Sequence, residues 1–99
     1  MIRRFIYLNR VVKNQFSKIK RLKIIGPING HDIEDIRNMP FLEHLDIEYA
    51  ELIPGGVYFG DNEVKKNEID NWMFFKLTEL KTIILPKDVF SIGFHAFFD

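Results

Sequence analysis

A chain of 99 residues with 46% hydrophobic side chains and ten Phe has the apolar content of one small folded domain, and too little length for a second independent core. The absence of cysteine excludes disulfides, thiolate metal sites and cysteine nucleophiles. The formal net charge of zero is unevenly divided: residues 1–23 hold eight cations and no acid, and the remainder holds six cations and fourteen acids.

The first predicted element is an amphipathic helix within residues 1–18. Phe5, Leu8, Val12 and Phe16 recur at helical spacing, with Arg4, Arg10, Lys13 and Asn14 elsewhere around the wheel. The run Phe5-Ile6-Tyr7-Leu8 is ended by Asn9-Arg10, so neither a cleavable signal nor a membrane span is expected. The Arg-rich, acid-free start also has the composition of an organellar transit peptide. The eight cations of residues 1–23 suit a basic peripheral binder of membrane or nucleic acid, which stands as an alternative function. The preferred reading is a cap, because the apolar stripe is needed to cover the segment that follows and cannot also lie in lipid.

From residue 19 the chain repeats itself. The pattern Ile19-x-x-Leu22-x-Ile24 returns as Leu42-x-x-Leu45-x-Ile47 and Leu80-x-x-Ile83-x-Leu85, starting 23 and then 38 residues further on. A second pattern, Ile69-x-x-x-Met73-Phe74-Phe75, returns as Ile92-x-x-x-Ala96-Phe97-Phe98, again at 23. The surplus of 15 therefore falls within residues 48–68, where AELIPGGVYFGDNEVKKNE has the Gly, Asp and charged content of a surface loop.

A 23-residue period carrying Leu-x-x-Leu-x-Leu belongs to the leucine-rich repeat class. It predicts an α/β fold: a short right-handed solenoid with an N-terminal capping helix and a small three-stranded parallel sheet. Residues 19–99 would form about three repeats, the last one truncated. Alternate strand residues face opposite sides, so Leu45 and Ile47 are predicted inward and His44, Asp46 and Glu48 outward. The register puts Arg21 beside His44, Lys23 beside Asp46 and Ile25 beside Glu48. Asp32 to Asn38 is predicted as a helical return, with Asp32 as N-cap, Ile33 and Ile36 on one face and Pro40 marking its end. A shorter turn around Trp72, Met73 and Phe74 is predicted for the next return.

The segments KIKRLKIIGPINGHDIEDIRNMPFLEHLDI, NWMFFKLTELKTIILP and SIGFHAFF resemble the BspA-like leucine-rich repeat proteins of bacterial cell surfaces. Those repeats carry an Ile-x-x-x-Ala-Phe turn and a strand ending in Leu-Pro, and the likeness covers residues 19–99. The resemblance implies a non-catalytic binding scaffold, secreted or displayed on a surface. Because the chain stops inside a repeat and shows no signal, a fragment or truncated relative of such a protein is expected.

The chemistry-bearing residues add little to that reading. His31, His44 and His95 are not at metal-ligand spacing, and the Asp61-Asn62-Glu63 run lacks the other positions of a calcium loop. Ser17 and Ser91 sit in no nucleophile elbow. Asp46 and Glu48 are read as a salt-bridged solvated face opposite Lys23, not as a catalytic dyad. No catalytic, metal-ligating or cofactor-binding residue is assigned, and the chain is expected not to be an enzyme.

A protein partner is expected to bind through His44, Asp46 and Glu48, with Thr82 and the outward Ile84 continuing the same columns. Tyr58 and Phe59 in the insert would either join that partner or pack down, with packing preferred. A carbohydrate-binding surface using Trp72, Tyr58 or Phe59 is a second alternative. Phe94, Phe97 and Phe98 predict self-association through the C-terminal segment, head-to-tail or tail-to-tail.

Overall fold

The computed structural model of the chain describes residues 13–97. The expected stripe at Phe5, Leu8 and Val12 and the candidate Phe98 lie outside the described residues. Lys13–Lys18 form a 3₁₀ helix that delivers Phe16 into the core.

The chain then forms β1 (Arg21–Lys23), β2 (Gly26–Ile28), α1 (Gly30–Arg37), β3 (His44–Asp46), β4 (Ala50–Leu52), β5 (Gly55–Phe59), β6 (Asn62–Val64), β7 (Glu68–Ile69), β8 (Thr82–Ile84) and β9 (Ser91–Ile92). Among the described residues the fold is thus mixed α/β, with one α-helix and short strands in four small sheets. The largest sheet has the order β1-β3-β8, all parallel. Parallel neighbours need a long crossover, supplied by α1 between β1 and β3 and by residues 47–81 between β3 and β8.

Register follows the repeat spacing. Arg21 lies opposite His44 and Lys23 opposite Asp46, and β3 meets β8 through His44 opposite Thr82 and Asp46 opposite Ile84. The second 23-residue match also pairs: Glu68 lies opposite Ser91 and Ile69 opposite Ile92. Stacked rings continue this ladder, Trp72 on His95 at 5.1 Å and Phe74 on Phe97 at 5.4 Å between centroids.

Leu22, Leu45 and Ile47 point inward from their segments and meet Ile33 and Ile36 from α1, with Met39, Leu42, Ile69, Met73 and Phe74 completing the core. Burial is uneven along the sheet. Leu45 on the central strand is 1% exposed, whereas Ile83 and Leu85 remain only half-buried.

The helix start differs from the expectation. Asn29, not Asp32, is the N-cap: its side chain accepts from the amides of His31 and Asp32 at 3.0 and 3.4 Å. Asp32, at the third helical position, accepts from the Asn29 amide at 3.0 Å. This is a capping box, and Asp32 supplies its returning carboxylate.

The insert also differs from a surface loop. Ala50–Leu52 pairs in parallel with Gly26–Ile28, and β5 and β6 form an antiparallel hairpin closed by the two residues Gly60 and Asp61. Leu52, Tyr58 and Val64 enter the core from this segment. Its Gly and Asp content marks the turns, while its apolar residues supply a second layer that packs on α1.

Candidate functional site

The outward side chains of β1, β3 and β8 form two rows. Arg21, His44 and Thr82 make one, and Lys23, Asp46 and Ile84 make the other. The face therefore runs from cations on β1 through mixed polar groups on β3 to Thr and Ile on β8.

Within the first row His44 Nδ1 and Thr82 Oγ1 are hydrogen-bonded at 2.7 Å. Glu43 lies beneath this pair, its Oε1 at 4.0 Å from His44 Nε2 and at 3.6 Å from Lys81 Nζ. In the second row Lys23 Nζ stands 4.0 Å from Asp46 Oδ2, while Asp46 Oδ1 accepts from the Glu48 amide at 3.1 Å. Lys23 also sits over the exposed ring of Tyr49, 5.4 Å from its centroid. Ion pairs at such separations on a wet face contribute at most about 1 kcal/mol each. Their effect is to hold the long side chains in place as a defined surface. Ile84, 45% exposed, sets an apolar side chain beside these polar groups.

The structure thus gathers His44, Asp46, Thr82 and Ile84 on one face, with exposed Glu48 just beyond β3. It does not bring Tyr58 or Phe59 to it. Tyr58 is 1% exposed, so its candidacy for partner binding is corrected: the hairpin turns the ring into the core, where its hydroxyl donates to the Asn71 carbonyl at 3.0 Å. Phe59 packs with Trp72 and Phe75 at centroid distances of 5.9 and 5.2 Å. Trp72 lays one face on His95 and meets Phe75 edge-on at 5.4 Å. Arg37 lies over both Phe59 and Phe75, and Lys76 over Phe75. These rings are turned on one another and on cations, so the aromatic set joins the hairpin to the turn around Trp72.

Glu43, Lys81 and Tyr49 were not singled out by the sequence reading. Alternation fails just before the strand: Glu43 precedes His44 yet does not point inward. The usable signal was the repeat offset itself, since Glu43 and Lys81 stand in the same relation as His44 and Thr82, and the Glu43 carbonyl accepts from the Lys81 amide at 2.7 Å.

Two groups near the hairpin are electrostatically perturbed. Burial, reinforced by the charge of Asp70 and opposed by Arg37, pushes the Tyr58 hydroxyl up to about 12. Burial also lowers the Arg37 guanidinium from its ordinary value, against Glu34 and Tyr58, which raise it. Arg37 Nη1 donates to the Tyr58 carbonyl, which anchors the end of α1 to β5.

A raised tyrosine means that the neutral form is favoured by folding. Its contribution is complete below pH about 10, the unfolded value, and is lost as pH rises to about 12. Tyr58→Phe is expected to cost about 1 kcal/mol at neutral pH through the lost hydrogen bond. It should also remove roughly 2 to 3 kcal/mol of the stability decline between those pH values. Urea titrations of both proteins from pH 8 to 12 check this; parallel pH profiles would contradict it.

Among the described residues no group of three or more His, Asp or Glu side chains is placed to hold a metal ion, and no helix is long and apolar enough to cross a membrane. No protein-family model matches the chain, and no curated protein matches it either.

Proposed function

We propose that the chain is a short leucine-rich repeat module of the BspA-like kind, a right-handed solenoid that binds a protein partner without catalysis. Support for the repeat reading comes from the 23-residue offset, which recurs in two separate parallel pairings, β1 with β3 and β7 with β9. The contact surface is the outer face of β1-β3-β8. The observation that carries this is the exposed Ile84 beside the polar rows of His44, Thr82, Lys23 and Asp46, with Tyr49 and Ile25 exposed at the ends of the neighbouring strands.

Such a face has the anatomy of a protein interface, with apolar and aromatic patches bordered by fixed charges. Large exposed side chains of this kind carry most of the binding energy in protein complexes. The test compares proteins captured from a bacterial surface extract by the wild-type chain, by a Tyr49→Ser, Ile84→Asp double variant, and by Glu63→Ala on the hairpin. A partner retained by Glu63→Ala and weakened at least about tenfold by the double variant is expected. Equal capture by all three would overturn the assignment of this face.

A further inference from the structure

Two adjacent positions answer to separate structural demands, and together they create a labile peptide bond. Position 29 starts α1 and needs a side-chain acceptor. Asn29 Oδ1 takes the backbone amides of His31 at 3.0 Å and Asp32 at 3.4 Å, and the Asn29 backbone amide donates to Asp32 Oδ2 at 3.0 Å. Position 30 admits no side chain, because a Cβ there would stand 1.7 Å from the Gly56 carbonyl oxygen, where α1 crosses β5. The outcome is an Asn-Gly step, and of the seven asparagines in the chain Asn29 alone precedes glycine.

The chemistry open to that step is intramolecular. The Gly30 amide nitrogen gives its proton to solvent base and attacks the carbonyl carbon of the Asn29 side chain, closing a five-membered imide. Glycine hinders this attack least, since it has no Cβ beside the nitrogen and its backbone turns freely. The new C–N bond replaces the C–NH2 bond, and ammonia leaves with a proton returned from solvent. Water then opens the imide at either carbonyl and leaves aspartate or isoaspartate at position 29. The net change consumes one water and releases one ammonia, with no oxidation or reduction.

We propose that Asn29 is a deamidation site gated by the fold, so that the imide forms only when the first turn of α1 opens. Ring closure brings the Asn29 Cβ into the plane of the peptide bond to Gly30, which takes ψ of Asn29 away from its −168°. That rotation pulls Oδ1 from the two amides that hold it and moves buried Gly30 relative to the Gly56 backbone it touches. Folding therefore keeps the two reacting atoms out of attack geometry, and the reaction proceeds through local opening.

The product closes the route back. Isoaspartate carries the main chain through the former side chain and adds one carbon before Gly30, so neither the cap acceptor nor the Gly30–Gly56 crossing returns to register. Ile33 and Ile36 are then anchored by a helix without its start. The labile step gives the folded chain a limited lifetime, whatever its face binds.

The test incubates the 99-residue chain at neutral pH with and without denaturing urea, and follows amide-to-acid conversion by peptide mass mapping with isoaspartate detection. Conversion should concentrate at Asn29 and run at least about tenfold slower in the native chain than in urea. Asp32→Ala, which removes the returning carboxylate of the capping box, should raise the native rate at least about threefold. Asn29→Ser keeps a cap acceptor and should abolish conversion at that position. The isolated isoaspartate form should unfold at lower urea than the unconverted chain. A native rate equal to or above that in urea would overturn the gate, because the two amides on Oδ1 would then be promoting the attack. Conversion mainly at another asparagine, a rate unmoved by Asp32→Ala, or coincident unfolding curves for the two forms would also overturn the inference. The comparison with urea uses the natural sequence, so it decides the point even where Asp32→Ala lowers the folded population.

Discussion

Gly30→Ala is expected to destabilise the fold by about 3 kcal/mol, although alanine is the better helix former. Propensity alone would favour the substitution by up to about 1 kcal/mol. Space decides against it: a Cβ at Gly30 would lie 1.7 Å from the Gly56 carbonyl oxygen and 2.9 Å from the Val57 amide nitrogen. Both obstacles are backbone, so no rotamer change relieves the overlap, and α1 must move away from β5. Overpacking that forces such backbone shifts costs about 1 to 3 kcal/mol or more. The partner residue is equally constrained, because Gly56 has φ of 70° and its own Cβ would meet the amides of Gly30 and His31 at 2.9 Å. In a chain of this size the loss should lower the melting temperature by more than about 10 °C. A melting temperature equal to or above that of the wild-type chain would show that the helix and hairpin do not cross this closely.

This crossing marks a boundary between what could and could not be read from the chain. Spacing of Leu and Ile is a local property, and it led directly to the inward sets at Leu22, Leu45 and Ile83 and to the parallel register that pairs Lys23 with Asp46. It also put Ile69 and Ile92 at the same 23-residue offset, although their pairing as strands was not read from it. Contacts between distant segments with no shared period were not legible. Gly30 and Gly56 each look like ordinary turn residues, and only the packing of β5 on α1 shows why neither tolerates a side chain.

The pairing of β2 with β4 was hidden for two reasons. Its partners, such as Ile28 and Leu52, stand 24 residues apart and not 23, and Pro27 argues against a strand. Pro27 is tolerated because β2 has a single neighbour, so the missing donor falls on the free side. The N-cap was misplaced by three residues for a related reason: Asn29 and Asp32 are both capping residues, and only the two reciprocal hydrogen bonds assign their roles. On the candidate face, alternation located His44, Asp46, Thr82 and Ile84 but passed over Glu43, whose side chain emerges where the strand has not yet begun.

Leu45→Ala and Ile83→Ala, equivalent positions on neighbouring strands, are expected to differ widely in cost. Leu45 is enclosed between Leu22 and Ile83 on the sheet, with the core residues from α1 behind it. Truncation there removes transfer energy and leaves a cavity that rigid neighbours on both sides prevent from collapsing, a loss of about 3 to 5 kcal/mol. Ile83 has a strand on one side alone and is only partly buried. The same truncation should cost about 1 to 2 kcal/mol in dilute solution, since less apolar area is withdrawn from burial. Urea unfolding of both variants reads this difference directly. Equal costs at the two positions would mean that the core is as closed at β8 as at β3.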